Sequence, residues 1–224
     1  MENCTLKRQN KDSNTQATGS RGSDTLEFVY TKTEKSNQAK KTTNPETVII
    51  MDSNGKYLNT RRLFPGKNVT KIHCATIEQT MEVLTNPYFT NPKQIIIHTG
   101  TNNIQTEQKG IADKLSQLTD TAQQKFPHSK IILSCLLPRK DISNHIIQNI
   151  NTELAAKTSS KPNIHLAQHP SITPEHLYDN KHLNKQGVSH LAREFKDIVL
   201  NRTHIPTYLE EIPPRHTIQQ INVN

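Results

Sequence analysis

Two polar turns carry the residues of this chain that could do nucleophilic and acid–base chemistry together. Ser53 lies one residue after the apolar run 48–51, behind Asp52, and belongs to a short polar turn that contains glycine. Asp179 and His182 lie three residues apart near the other end of the chain. A serine hydroxyl becomes a nucleophile when a base removes its proton, and an imidazole held by a carboxylate is such a base. The chain order Ser, Asp, His is also a known order for acyl-transfer triads.

A third polar turn, 99–103, follows another apolar run, 94–98. It contains Gly100, Asn102 and Asn103. Open α/β proteins place their sites at the carboxyl ends of parallel strands, so turns that follow strands directly are expected at such a site. We therefore expect the turn at 99–103 to lie beside the turn that carries Ser53.

The elements that must position these turns alternate between strand-like and helix-like segments. The strand-like segments are continuous apolar runs, which is typical of a parallel sheet covered on both faces. The alternation predicts an α/β fold, a three-layer α/β/α sandwich with a five-stranded parallel sheet. The predicted strands are 48–51, 69–74, 94–98, 130–134 and 163–166, and the predicted helices are 54–64, 76–84, 111–126, 143–157 and 185–200.

Composition separates a core-forming region from the rest of the chain. Only 32% of the residues are hydrophobic and the mean hydropathy is −0.74, but the apolar residues cluster between 46 and 200. We therefore expect one domain over 46–200, a basic disordered arm over 1–45 and an irregular tail over 201–224. Within the arm, 26–30 alternates weakly and could add an edge strand.

The formal net charge is +8, with 28 basic and 20 acidic residues. This charge favours weak, salt-sensitive binding of nucleic acid or another polyanion through residues 1–45. A lysine-rich, solvated surface with no partner explains the same charge equally simply.

Cysteine and histidine usage gives no sign of a disulfide scaffold or a metal site. The chain has three cysteines, Cys4, Cys74 and Cys135, and no CxxC pair. The histidines lack the spacing of zinc-binding motifs, so we predict no metal. The N-terminus lacks the apolar segment of a signal peptide, and no apolar run approaches the ~18 residues of a membrane span. We therefore predict an intracellular protein, cytoplasmic or nuclear, that does not enter a membrane.

Taken together, the three turns resemble the spaced motifs of SGNH (GDSL-type) hydrolases. That family pairs a Gly-Asp-Ser block, a Gly-x-Asn-Asp block and an Asp-x-x-His block, which correspond here to 52–53, 100–103 and 179–182. The resemblance covers about 46–200 and implies a flavodoxin-like sandwich. The phrases at 96–103, 136–139 and 178–184 are also similar to the SGNH-type domains of LINE-like retrotransposon proteins.

The resemblance implies a serine esterase that acts on a small ester through an acyl-serine intermediate. Ser53 would be the nucleophile, His182 the base and Asp179 the orienting acid. The oxyanion donors would be the backbone N–H of Ser53, the side chain of Asn102 and a third backbone N–H at Cys74. No cofactor is implied.

Three positions depart from the family pattern. Met51 replaces the glycine before Asp-Ser, which also removes the G-x-S-x-G signature of the α/β-hydrolases. Cys74 is the nearest counterpart of the usual oxyanion glycine, and its side chain could crowd the acyl pocket. Asn103 replaces the acid of the Gly-x-Asn-Asp block. We expect slow turnover or an altered substrate.

Four residues are candidates for the substrate pocket: Gly100, Asn103, His98 and Arg139. His98 is expected to line the site rather than to act as the base. Arg139 could attract an anionic group of the substrate, or it could be an ordinary loop arginine.

Each signal also has a simpler structural interpretation. Ser53 could cap the helix after the first strand, Asn102 could stabilise its own turn, and Asp179 with His182 could cap the last helix. The rival function is a catalytically weak or idle SGNH-like domain of a retroelement-derived protein that binds nucleic acid through its basic arm. A non-catalytic structural domain with the same strand order is the remaining alternative.

Overall fold

Five parallel strands form a single sheet in the computed structural model, which describes residues 42–202. The strand order is β2-β1-β3-β4-β5, the flavodoxin-like order, so the predicted five-stranded parallel sheet is confirmed. The strands are β1 (Thr47–Met51), β2 (Val69–His73), β3 (Gln94–His98), β4 (Lys130–Ser134) and β5 (Ile164–Ala167).

Helices cover both faces of the sheet, because successive strand residues point to opposite sides. Ile50 belongs to the hydrophobic core under the helices at 77–85, 111–125 and 144–158, whereas Ile49 belongs to the core under those at 60–63 and 185–199. The three-layer sandwich is therefore confirmed. None of the helices within residues 42–202 is long and apolar enough to cross a membrane. The helices are α1 (Thr60–Leu63), α2 (Ile77–Thr85), α3 (Asn103–Thr106), α4 (Ile111–Lys125), α5 (Asn144–Thr158) and α6 (Lys185–Val199).

The central strand β1 pairs with β2 on one side and with β3 on the other. Its last residue, Met51, lies opposite His98, the last residue of β3. The chain runs from β1 to one neighbour and then crosses to the other, so a crevice opens at the carboxyl ends of β1 and β3. The turns that follow these two strands meet at this crevice.

The prediction of one continuous helix over 54–64 is wrong. A 3₁₀ helix, Ser53–Tyr57, is followed by extended backbone and then by the short α1. The interruption has a local cause, because the side chain of Asn59 accepts a hydrogen bond from the Arg62 N–H at 3.0 Å and so starts a new helix.

Residues just before the predicted boundary at 46 already pair with the domain. Thr43 pairs with Phe89 and donates its N–H to the Tyr88 carbonyl at 2.9 Å. The predicted edge strand at 26–30 and most of the predicted arm and tail lie outside the described residues.

Candidate active site

Ser53 is the first residue of the 3₁₀ helix that follows β1. The carboxylate of Asp52, which is 1% exposed, accepts a hydrogen bond from the Asn54 N–H at 2.9 Å and closes this turn. The cap of the helix is therefore Asp52, and the interpretation of Ser53 as a capping serine is wrong. The hydroxyl of Ser53 remains available for another partner.

That partner comes from a tight loop just before α6. The carboxylate oxygen Oδ1 of Asp179 accepts hydrogen bonds from the backbone N–H groups of Lys181 at 2.8 Å and His182 at 2.7 Å. Asn184, rather than Asp179 or His182, caps α6 through its bond from the Gly187 N–H at 2.9 Å. The loop therefore fixes the Asp179 carboxylate directly beside the His182 ring.

Ser53, His182 and Asp179 form a continuous chain of hydrogen bonds. The Nε2 atom of His182 lies 2.9 Å from Ser53 Oγ, and Nδ1 lies 2.7 Å from Asp179 Oδ2. Desolvation raises the pKa of Asp179, but hydrogen bonds from the His182 ring and from two backbone N–H groups outweigh it and lower the pKa to about 2. A carboxylate that stays ionised holds the proton on Nδ1 and leaves Nε2 free to accept the serine proton.

A buried amide connects the two halves of this arrangement. Asn54, which is 2% exposed, accepts a hydrogen bond from the Leu183 N–H through Oδ1 at 2.9 Å. Asn54 follows Ser53, and Leu183 follows His182. The bond therefore holds the serine turn against the histidine loop, although the two lie 129 residues apart.

Asn102 stands beside the serine turn, in the turn after β3. Its Nδ2 atom donates to the Ala75 carbonyl at 2.9 Å, and its Oδ1 atom accepts from Lys181 Nζ at 3.0 Å. The side chain makes no capping bond to α3, so the interpretation of Asn102 as a residue that stabilises only its own turn is wrong. An amide nitrogen carries two hydrogens, and the second one of Asn102 is left for another acceptor.

No family model matches this sequence. Among curated proteins, the chain is similar to the platelet-activating factor acetylhydrolase IB subunit beta homolog of Drosophila melanogaster, at 24% identity over 120 residues. The match covers 49% of this chain and 53% of the relative, so the chain spans about half the length of the curated relative that it matches.

Solved structures share the architecture at low sequence identity. A Streptococcus pneumoniae protein whose name associates it with platelet activating factor superimposes with a TM-score of 0.61 at 21% identity, covering 70% of this chain and 84% of that chain. A lipolytic protein of the G-D-S-L family from Veillonella parvula gives a TM-score of 0.55 at 16% identity, covering 70% and 98%. The chain has the SGNH hydrolase fold.

The SGNH fold predicted from the three turns is thus confirmed, and a carbohydrate esterase of family 3 from Talaromyces cellulolyticus shares it. That structure gives a TM-score of 0.54 at 13% identity and covers 71% of this chain and 97% of that chain. The similarity to domains of LINE-like retrotransposon proteins stays a prediction.

The first departure from the SGNH pattern, Met51, is accommodated beneath the serine turn. Its side chain is 1% exposed and lies in the core under α1 and α6. A Cβ atom at Gly55 would lie 2.9 Å from Met51 Cβ and 3.1 Å from Met51 Sδ. Because Gly55 has no side chain, Met51 fits under the turn without projecting into the site.

The prediction that Cys74 supplies an oxyanion N–H is wrong. This N–H donates to the Met51 carbonyl at 2.9 Å and continues the pairing of β2 with β1. The Cys74 side chain is 2% exposed and belongs to the core under α2, α4 and α5, so it does not crowd the site either. Desolvation there raises the pKa of its thiol to about 11. The next N–H, that of Ala75, donates to Gln79 Oε1 at 2.7 Å and lies in the turn that Asn102 also contacts.

Two of the pocket candidates in the turn after β3 have structural roles instead. Gly100 has a φ of +105°, and a Cβ there would lie 3.0 Å from Leu136, so glycine is needed for the turn itself. Asn103 accepts from the Ile77 N–H at 3.0 Å and donates to Glu78 at 2.9 Å, which joins α3 to the start of α2. The prediction that Gly100 and Asn103 line the substrate pocket is wrong.

Another candidate, His98, is 1% exposed and belongs to a buried polar chain beneath the site. Its Nδ1 atom lies 2.7 Å from Ser134 Oγ, which lies 2.7 Å from His169 Nε2, and His169 Nδ1 lies 2.5 Å from Glu194. The other ring nitrogen lies 3.8 Å from Asp52 Oδ1, and burial lowers the pKa of His98. The separation of 3.8 Å exceeds a hydrogen bond, so the partner that holds the His98 ring is Ser134. Because its side chain is fully buried, His98 does not line the pocket, contrary to the prediction.

Arg139 does line a cavity, but its charge is already neutralised. Its guanidinium donates to both carboxylate oxygens of Asp141, at 2.8 and 2.6 Å, and to the Thr101 carbonyl. The arginine is 4% exposed, and its bonds lower the pKa of Asp141. Arg139 therefore shapes the cavity and is not free to bind an anionic group, as the sequence suggested it could.

A cavity of about 280 Å³ lies beside the hydrogen-bonded chain, with Asp179 in its wall but not Ser53 or His182. A larger groove of about 460 Å³ lies between α1 and α6 and is lined by none of Ser53, Asp179 and His182, so we place the candidate site at the smaller one. Within residues 42–202, no group of three or more His, Cys, Asp or Glu side chains could hold a metal ion. The smaller cavity is lined by Gln105, Arg139, Asp141, Asp179, Asn180 and Lys181.

The sequence pointed to the three triad residues and to Asn102, but it gave no reason to single out Asn54 or Lys181. Both stand directly beside a triad residue, Asn54 after Ser53 and Lys181 before His182. That adjacency was the only available signal.

Proposed function

We propose that the protein is a serine esterase that hydrolyses a carboxylic ester through an acyl-serine intermediate. The observation that carries the proposal is the unbroken chain from Ser53 Oγ to His182 to Asp179, at 2.9 and 2.7 Å. Both distances lie within the range of hydrogen bonds that permit proton transfer.

In the first half-reaction, Ser53 Oγ attacks the carbonyl carbon of the ester. The serine proton passes to His182 Nε2, and the imidazolium that forms is stabilised by the ionised carboxylate of Asp179. Collapse of the tetrahedral intermediate breaks the carbon–oxygen bond to the alcohol, and His182 returns the proton to the departing oxygen. The product of this step is the acyl-serine.

In the second half-reaction, water attacks the acyl-serine. His182 takes one proton of the water and later gives it to Ser53 Oγ, which restores the free enzyme and releases a carboxylic acid. These steps need no electron transfer and no further group.

The negative charge on the carbonyl oxygen needs hydrogen-bond donors in both half-reactions. The N–H of Ser53 is one candidate, since the first N–H groups of a helix have no partner within it. The second is the unused hydrogen on Asn102 Nδ2. The third is the N–H of Ala75, once the side chain of Gln79 has moved away from it. Loss of one such donor can lower turnover by about 10²–10³-fold.

The names of similar proteins support ester cleavage as the reaction class. The curated relative is named as an acetylhydrolase, and two of the structural neighbours are named as a carbohydrate esterase and a lipolytic protein. The short connections around the site leave no room for a large lid and favour a small acyl group such as acetyl. We propose a small ester as the substrate.

The test is hydrolysis of p-nitrophenyl acetate by the purified protein, compared with the variants Ser53→Ala and Ser189→Ala. Ser189 is an exposed serine of α6 whose hydroxyl bonds only to its own helix, so it is the matched control. We expect Ser53→Ala alone to abolish turnover and labelling by a fluorophosphonate probe. Equal hydrolysis by Ser53→Ala and the wild-type protein would contradict the proposal.

Nucleic-acid binding through residues 1–45 stays a separate prediction, because only 42–45 of this segment are described. If this prediction is correct, the protein should bind RNA with an affinity that falls steeply as the salt concentration rises, and deletion of residues 1–45 should abolish the binding. The intracellular location likewise stays a prediction.

A further inference from the structure

The side-chain amide of Asn102 is held from both ends. Lys181 Nζ lies 3.0 Å from Asn102 Oδ1, and Asn102 Nδ2 lies 2.9 Å from the Ala75 carbonyl oxygen. An ammonium group can only donate a hydrogen bond, and a carbonyl oxygen can only accept one. The two partners therefore require the same orientation, with the amide oxygen towards Lys181 and the amide nitrogen towards Ala75.

This orientation decides whether Asn102 can stabilise an oxyanion. The terminal torsion of asparagine is broad and nearly two-fold, so the side chain itself hardly distinguishes the two ends of its amide. In the observed orientation one Nδ2 hydrogen is left for the site. In the opposite orientation the amide oxygen would replace the donor and would repel the developing negative charge.

We propose that Lys181 is a positioning residue of the oxyanion hole, holding the Asn102 amide in the orientation that donates to the substrate oxygen. The proposal rests on the esterase function proposed above and adds a residue to it. A hydrogen bond from a charged donor is roughly twice as strong as one between neutral groups, so Lys181 is well suited to hold an amide.

The loop that delivers His182 to Ser53 also delivers Lys181 to Asn102. Asp179 Oδ1 accepts the Lys181 N–H at 2.8 Å and the His182 N–H at 2.7 Å, so one carboxylate fixes the backbone of both residues. A single turn therefore positions both the base, His182, and the residue that holds the Asn102 amide, Lys181.

Lys181 has one alternative role. It also lines the cavity of about 280 Å³, where it could bind an anionic group of the substrate directly.

The main experiment compares Lys181→Met with Lys181→Arg and with the control Lys185→Met. Lys185 is exposed and lies four residues further along the chain. Its backbone carbonyl accepts a hydrogen bond from Ser189, but its ammonium group makes no hydrogen bond or ion pair within residues 42–202. With p-nitrophenyl acetate we expect Lys181→Met to lower kcat by about 10–10²-fold and to change KM by less than about two-fold. This loss of kcat is smaller than that expected when an oxyanion-hole donor is removed altogether, about 10²–10³-fold. Lys181→Arg should recover part of the loss, and Lys185→Met should match the wild-type protein.

The double variant shows whether Lys181 acts through Asn102. If it does, Lys181→Met should cause no further loss of kcat in an Asn102→Ala background, because the amide that it positions is gone. A full, independent loss in that background would overturn the proposal. Urea unfolding of every variant shows whether a loss of kcat comes from unfolded protein. The kcat values of the single and double variants are compared only for proteins that are folded at the assay temperature.

A second substrate separates positioning from direct binding. If Lys181→Met raises KM for the anionic ester mono-p-nitrophenyl succinate and leaves kcat for the acetate unchanged, Lys181 binds substrate and the positioning role is overturned. Ser53→Ala in the same series separates the two levels of proposal. If Ser53→Ala is inactive but Lys181→Met has wild-type activity, only the positioning role of Lys181 is overturned. If Ser53→Ala is active, both the esterase function and the role of Lys181 are overturned.

Discussion

The hydrogen bond from the Leu183 N–H to Asn54 Oδ1 gives a sharp prediction, because it joins the serine turn to the histidine loop. Asn54→Ala removes the acceptor and leaves a buried backbone N–H without its partner at 2.9 Å. Leu183 is 2% exposed, so water cannot easily replace the lost amide. We expect both stability and catalysis to suffer, for separate reasons.

The stability loss follows from the unpaired donor. A buried N–H left without a partner costs about 1–3 kcal/mol, so the free energy of unfolding should fall by that amount. The catalytic loss follows from geometry, since displacement of a catalytic group by about 1 Å can cost roughly 10²-fold in rate. We expect kcat/KM to fall by about 10–10²-fold, because the lost bond joins the residue after Ser53 to the residue after His182 and so helps to set the distance between them.

The control is Asn59→Ala, which also removes an asparagine oxygen that accepts a single backbone N–H. Asn59 caps α1 through the Arg62 N–H at 3.0 Å, in an exposed position. Loss of such a cap costs about 1 kcal/mol of stability, but it leaves the loop with His182 untouched. We expect Asn59→Ala to retain wild-type kcat/KM.

The measurements are urea unfolding followed by circular dichroism, and hydrolysis of p-nitrophenyl acetate well below both unfolding midpoints. An Asn54→Ala protein with lower stability but wild-type kcat/KM would show that the bond does not position the triad. An Asn54→Ala protein with unchanged stability would refute the reasoning about the buried N–H itself.

Three further predictions concern the surroundings of the site. Gly55→Ala should destabilise the protein by about 1–3 kcal/mol by overpacking against Met51, and the cost should be smaller in a Met51→Gly background, measured by urea unfolding. Equal costs in both backgrounds would contradict this packing. Burial lowers the pKa of His98 below its ordinary 6.5, so the unfolded chain takes up a proton first as the pH falls. Stability should therefore decrease below about pH 6.5, and His98→Gln should flatten that dependence in thermal unfolding between about pH 7 and 5. The pKa of Asp179 is lowered from 3.8 to about 2, so its stabilising contribution is present above 3.8 and is lost as the pH falls towards 2. Asp179→Asn should remove that acid dependence, and an unchanged acid-unfolding curve would count against it.

The parts of the fold that rest on periodicity could be predicted from the sequence. Continuous apolar strands with helices between them leave few arrangements other than a covered parallel sheet. The proximity of Ser53, Asp179 and His182 could also be predicted, because they lie in turns that the sheet brings to one edge. Their catalytic roles stay a prediction. The roles that could not be predicted are those of residues whose hydrogen-bond partners lie far away in the sequence.

Two examples show why the remaining predictions failed. The Cys74 N–H is taken by β1, because strand pairing extends one residue beyond β2, and no local pattern reveals that extension. The side chain of His98 is buried at the end of β3, where Ser134 from the neighbouring strand provides its hydrogen-bond partner. Both outcomes depend on strand neighbours that are distant in the sequence.

The separation of 129 residues between Ser53 and His182 also has a consequence for when the proposed site can form. The serine turn is synthesised before most of the domain, whereas His182 follows only after β5, immediately before α6. Contacts between such distant residues form late, since the chain must first close a long loop. A nascent chain that has not yet released residue 182 therefore carries a serine with no means of activation. Under the proposed esterase function, the appearance of activity should therefore report that the domain has been completed and folded.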